Sequence, residues 1–262
     1  PRPSCSARET AEIETRRVDS HWADRPGMTD PRIEHDGDAI VRRRWSIESA
    51  AIAGIVYAVV SSIALLVVVD FPRPDMSDTE LTEWFADAGN RRGLLVGLNL
   101  GTLAAVAFLW FVAVLRNRIG DREDRFLGTV FYGSAIIHPV FWIQGLASLA
   151  SIPAAIELFD GTVRVDSATV GSTGGFGAAM LFVAGQRIQE LFVVSTSTIF
   201  LRTSTATKWL ALIGYAFGVV LFVVPVVARP VGLGFPIWVL VSSVTVLVTK
   251  RAESDPETGR AP

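Results

Sequence analysis

The chain has 262 residues, 50% of them hydrophobic and 19% charged, with a mean hydropathy of +0.41 and a formal net charge of −2. A soluble domain of this length carries more charge and scatters its apolar residues along amphipathic helices and strands. Here they come in blocks of about twenty, the length a helix needs to cross a bilayer core of about 30 Å. The near-neutral balance leaves no footprint for nucleic acid. The single cysteine, Cys5, excludes an intramolecular disulfide and a multi-cysteine metal site.

Residues 1–45 are polar and punctuated by proline, and nine arginines balance nine acids. They read as a disordered cytoplasmic tail, and residues 251–262 as a second one. No cleavable signal peptide is expected, because the first apolar run begins only after Trp45 and is too long for one. The Arg42-Arg43-Arg44-Trp45 sequence is the basic, aromatic doorstep of a membrane.

The fold class expected is all-α: a six-helix transmembrane bundle over residues 46–250. The spans are read at 47–69, 94–115, 126–150, 176–201, 209–228 and 231–249. Pro139 breaks the third, which can run on through Pro153 towards Phe159, and Arg229-Pro230 turns the last two into a hairpin. With both termini inside, 18 Lys and Arg lie on the cytoplasmic side and five outside, so the positive-inside rule gives an N-in/C-in protein of the plasma membrane.

Between the first two spans, Ser77-Asp78-Thr79-Glu80 fits a capping box. Leu81, Trp84, Phe85 and Ala88 follow at helical spacing. This predicts a short outer amphipathic helix, lying at the interface or capping the bundle. Gly93, Gly97 and Gly101 form a small-residue stripe on the second span. It serves close packing within the bundle, or, as the alternative, a membrane partner or a homo-oligomer. Gly214 and Gly218 do the same on the fifth span. Gly171–Gly177 superficially suggests phosphate binding, but no strand precedes it and no Lys follows, so it reads as a flexible loop entering a helix.

Two stretches carry a family resemblance. One runs from Phe108-Leu109-Trp110-Phe111 through Arg116–Arg125 to Phe126 and on to Thr129-Val130-Phe131-Tyr132-Gly133-Ser134. The other is Ser195-Thr196-Ser197-Thr198-Ile199-Phe200-Leu201-Arg202-Thr203 with Trp209-Leu210-Ala211 and Gly214-Tyr215. They resemble an uncharacterised family of multi-spanning integral membrane proteins common in actinobacteria, with an EDRF…TVF loop-to-helix junction and an STSTI.LRT helix end. An arginine matching Arg187 in the fourth span belongs to that family's pattern. The resemblance covers spans two to five and implies topology, but no activity and no cofactor.

Chemistry, if present, is expected near the membrane midplane, where polar groups are costly. Gln186, Arg187, Gln189 and Glu190 lie in the fourth span, and their spacing lets Gln186, Arg187 and Glu190 meet on one face turned to the bundle interior. His138, ahead of Pro139, and Tyr57 fall at comparable depth, so the six residues are read as one candidate polar layer. The first reading of that layer is structural: an ion pair that fixes helix register, with His138 neutral and bonded to Gln186, Gln189 or a carbonyl freed by Pro139. The alternative is a path for a small solute or ion along His138, Arg187 and Glu190. An intramembrane enzyme ranks third, because no nucleophile elbow, zinc-protease motif or pair of catalytic carboxylates is found. No metal or cofactor is expected, since the layer holds one His and one carboxylate. The hydroxyls of Ser195–Thr198 are expected to bond back to their own helix.

Overall fold

The computed structural model describes residues 51–73, 75–119, 125–159, 163–203, 208–223 and 232–254. All of them belong to one compact unit, Ser46–Pro262. The expected tail over residues 1–45, the hairpin turn at Arg229-Pro230 and residues 120–124 of the Arg116–Arg125 loop lie outside the described residues.

The described residues are helical, with short connections. The elements are α1 (Ala51–Val68), α2 (Asp78–Ala86), α3 (Ala88–Ile119), α4 (Arg125–Leu149) and α5 (Ser151–Leu158). Then come α6 (Ser167–Ala178), a π-helical stretch (Ala179–Ala184), α7 (Gly185–Thr203), α8 (Lys208–Val223) and α9 (Gly234–Ser254). Four helical runs are long and apolar enough to cross a membrane: Ala51–Val68, Ala88–Arg116, Arg125–Leu149 and Ser167–Arg202. Two shorter apolar helices, Lys208–Val220 and Gly234–Thr245, complete the set. This architecture is compatible with a membrane protein.

Four boundaries differ from the sequence reading. The sixth span, expected to stop at 249 with a disordered tail over 251–262, continues as α9 to Ser254. Pro139 lies inside an uninterrupted α4, and the chain breaks at Ala150 instead. The second long helix begins at Ala88, six residues before the expected span, because it starts directly after α2. Gly171–Gly177, expected as a loop, is helix: Asp166 is the N-cap of α6, its carboxylate accepting the Thr169 N–H at 2.8 Å, and the run continues to Thr203. An acidic cap on a following Ser-Ala-Thr turn is enough to start a helix that the glycines alone argue against.

The capping box is present. Glu80 Oε2 accepts from the Ser77 backbone N–H and hydroxyl, each at 2.8 Å, and the Glu80 N–H reaches Ser77 Oγ at 3.3 Å. The helix that follows caps the bundle, since Leu81 and Phe85 are fully buried beside Leu94, Leu149, Ile152 and Val170. Polar ties lock the cap in place. Asp78 Oδ1 accepts the Ser167 N–H at 2.9 Å. Arg91 donates to the carbonyls of Phe85 and Ala86 and pairs with Glu157 at 3.0 Å.

Small residues set the helix spacing. A Cβ at Gly177 would stand 3.0 Å from the Gly145 carbonyl oxygen, and one at Gly145 would stand 3.1 Å from that of Gly177, so α4 and α6 cross backbone to backbone. In the stripe on α3, Gly97 faces Val68 and the Ala64 carbonyl of α1, and Gly101 faces Leu146 and Trp142 of α4. Trp142 Nε1 donates to the Gly101 carbonyl at 3.0 Å. Gly214 and Gly218 of α8 sit against Ser197 and Val194 of α7.

Two predictions follow from these contacts. Gly177→Ala should lower stability in detergent by about 1–3 kcal/mol, because backbone cannot move aside as a side-chain tip can. Gly133→Ala, where nothing lies within 4 Å of a Cβ, should be neutral or stabilising by about 0.5–1 kcal/mol. Thermal unfolding of the two variants checks both.

A further prediction concerns pH. The Ser77 backbone N–H, and then its hydroxyl, hold the Glu80 carboxyl below its ordinary value. The Thr169 backbone N–H does the same for Asp166, helped by the Thr169 side chain and by Arg164. A lowered carboxyl contributes stability that is present above its ordinary value of about 4 and is lost as pH falls through the folded value. The melting temperature should therefore fall on acidification below about pH 4, and the Glu80→Gln, Asp166→Asn double variant should flatten that fall.

Candidate functional site

Among the six polar residues singled out in sequence, the structure shows two side-chain pairs, Tyr57 with His138 and Arg187 with Glu190. The first is built on Tyr57 of α1 and His138 of α4, both 1% exposed. The Tyr57 hydroxyl and His138 Nε2 are 3.1 Å apart, the one hydrogen bond of the imidazole among the described residues. Its partner is a tyrosine from another helix, neither of the glutamines nor a carbonyl freed by Pro139. His138 Nδ1 has no partner, whichever ring nitrogen carries the proton.

Aromatic rings enclose the pair. The Phe108 centroid lies 5.0 Å from both Tyr57 and His138, Phe235 meets His138 edge-on at 4.9 Å, and Trp142 lies at 6.2 Å. Phe192 of α7 meets Phe108 edge-on at 5.2 Å and stacks on Phe131 at 5.2 Å. Helices α1, α3, α4, α7 and α9 thus meet around one imidazole. Ring quadrupoles favour these tilted and edge-on geometries over flat stacking.

The second pair lies on α7, directly after the π-helical stretch, which closes as the Gly185 N–H donates to the Met180 carbonyl. Arg187 Nη1 lies 2.8 and 3.0 Å from the two oxygens of Glu190, so the expected pair forms. Its orientation does not follow the expectation. Gln186, Gln189 and Glu190 are buried, but the Arg187 side chain is 45% exposed. Arg187 stands about 100° around the helix from Gln186, at the edge of the polar arc. From there it reaches back to the carboxylate and lies over the Phe222 ring of α8, 5.2 Å from its centroid, with the Phe222 carbonyl at 3.4 Å. No hydrogen bond among the described residues joins this pair to His138.

The Ser195–Thr198 hydroxyls behave as expected in three cases of four. Ser195 and Thr196 donate to the Phe192 carbonyl at 3.0 and 2.6 Å. Thr198 bonds the Val194 carbonyl at 2.8 Å and the Tyr215 hydroxyl at 2.6 Å. Ser197 Oγ is buried without a partner, as are Trp238 Nε1 and Ser242 Oγ of α9. Ser197 Oγ and Trp238 Nε1 both border Gly214, and Ser242 lies one turn beyond Trp238. Sequence reading expected Ser197 to bond back to its helix and missed Trp238 and Ser242, because a single Ser or Trp in an apolar helix gives no periodic signal.

Among the described residues no group of three or more His, Cys, Asp or Glu is placed to hold a metal ion. Comparison with protein-family models, with curated proteins and with solved structures finds no match.

Tyr57→Phe should destabilise the bundle by about 0.6–1.7 kcal/mol, the range of side-chain hydrogen bonds between membrane helices. Trp238→Phe should cost less than the usual large-to-small core change, because it deletes a buried donor that has no acceptor. Chemical denaturation in a mild detergent distinguishes the two.

Proposed function

We propose that this chain is a multi-pass plasma-membrane protein with a structural or accessory role, its buried polar groups specifying how six spans pack. The observation that carries this reading is that the interior is filled. The rings of Tyr57, Phe108, Trp142 and Phe235 close around His138, and the arginine of the charged pair stands at the edge of the bundle. The six-span count rests on adding the two shorter apolar helices to the four long ones. The N-in/C-in orientation rests on the Lys and Arg distribution. Kinship with the actinobacterial family rests on the stretch from Phe108 through Arg116–Phe126 to Ser134 and on Ser195–Thr203 with Trp209-Leu210-Ala211 and Gly214-Tyr215.

The second reading, a small-solute or ion transporter, is favoured by the unpartnered Ser197, Trp238 and Ser242 atoms, which suit a hydrated interior. One experiment separates the two. In a Cys5→Ser background, Gln186→Cys is exposed to an impermeant thiol reagent from each side. Thiolate forms appreciably only where water reaches, so the structural reading expects no labelling of the folded variant. Labelling from either side favours transport.

The ion pair gives a second test. Arg187→Ala alone should destabilise the bundle by about 1–3 kcal/mol more than Arg187→Ala with Glu190→Ala, because the single change leaves a buried carboxylate unpaired. Equal losses on detergent unfolding would mean that the two do not act as a pair.

A further inference from the structure

Between α1 and the run from α6 into the π-helical stretch lies a groove of about 630 Å³, within the roughly 300–1,000 Å³ of small-molecule sites. Leu66 and Val69 form one wall, and Gly175, Ala178 and Val183 the other. Arg73 is the one charged or polar side chain among its described lining residues. We propose that this groove holds an acyl chain of a zwitterionic phospholipid of the phosphatidylethanolamine type, its phosphate on Arg73 and its ammonium by Asp70 or Asp75. The proposal rests on reading the chain as membrane-spanning.

Three observations argue for that occupant. Gly175 is not spent on helix packing, since nothing lies within 4 Å of where its Cβ would be. It leaves room in the wall of the groove, whereas Gly145, Gly177, Gly97 and Gly101 elsewhere all serve helix contacts. Second, the described part of α1, Ala51–Val68, is about 27 Å of helix, enough to cross the hydrocarbon core. Arg73, five residues beyond its end, therefore stands at headgroup depth, with the apolar wall below it. Third, the rim matches a headgroup bearing both charges. The Arg73 side chain is 74% exposed, and its nearest carboxylate, Asp75, is 3.7 Å away and 71% exposed. So loose a pair is weakly held and leaves the guanidinium free to grip a phosphate through two donors. Asp70 and Asp75, on either side in sequence, supply the counter-charges for an ammonium group and disfavour a purely anionic lipid.

The test is native mass spectrometry of the full chain, extracted from bilayers of dioleoyl-phosphatidylethanolamine and dioleoyl-phosphatidylglycerol in equal amounts. The wild type should retain one phosphatidylethanolamine. Gly175→Leu fills the groove while raising helix propensity, and should lower the retained fraction roughly tenfold, as for a binding loss of about 1.4 kcal/mol. Ala178→Leu reads the same wall should the first variant fail to fold. Arg73→Gln should lower retention of phosphatidylethanolamine, and Asp70→Asn with Asp75→Asn should shift retention towards phosphatidylglycerol. The site is overturned if the wild type retains no phospholipid, if either leucine variant retains as much as the wild type, or if phosphatidylglycerol is preferred. Membrane fractionation run in parallel keeps the two readings apart. A chain that leaves membranes only with detergent, yet retains no lipid, overturns the groove alone.

Discussion

The hydrogen bond between Tyr57 and His138 is the constraint on which the interior is arranged. An imidazole between apolar helices needs a partner, and the Tyr57 hydroxyl supplies one from a helix 81 residues earlier. That bond ties α1 to α4. Phe108 and Phe235, which close over it, bring in α3 and α9. Unlike aliphatic packing, which tolerates sliding, one directional bond inside an aromatic cage fixes both the depth and the rotation of the helices that carry it.

Much of the architecture was legible in the sequence, because bilayer-length apolar blocks and capping chemistry are local signals. The Ser77–Glu80 box, the Leu81 and Phe85 face and the Arg187–Glu190 pair each depend on spacings of three or four residues. The start of the fourth long helix was misread at Gly171–Gly177, where helix propensity argues against helix. Packing overrides it, since Gly177 is what allows α6 to touch α4 at Gly145. The direction of Arg187 was misread for a different reason. Equal depth along the membrane says nothing of position around the bundle, and Arg187 lies at the edge of its polar arc.

The polar groups are graded by charge. Neutral ones occupy the interior: His138 with Tyr57, and the serines and threonines bonded back to their own helices. The one ion pair of α7 stands where its arginine reaches the surface, and the remaining described ion pairs lie among the elements next to the cap. This is the ordering that desolvation imposes, since a neutral hydrogen bond is far cheaper to bury than an ionised group.

The π-helical stretch at Ala179–Ala184 has a consequence for lineage. Such a turn is how a helix absorbs one extra residue without breaking. A relative one residue shorter here would keep a plain α-helix, and aligned without a gap it would seem to have lost Gln186, Arg187 and Glu190 together. Sequences compared with this one therefore need a one-residue gap allowed between Met180 and Gly185 before the polar positions of α7 are counted as present or absent.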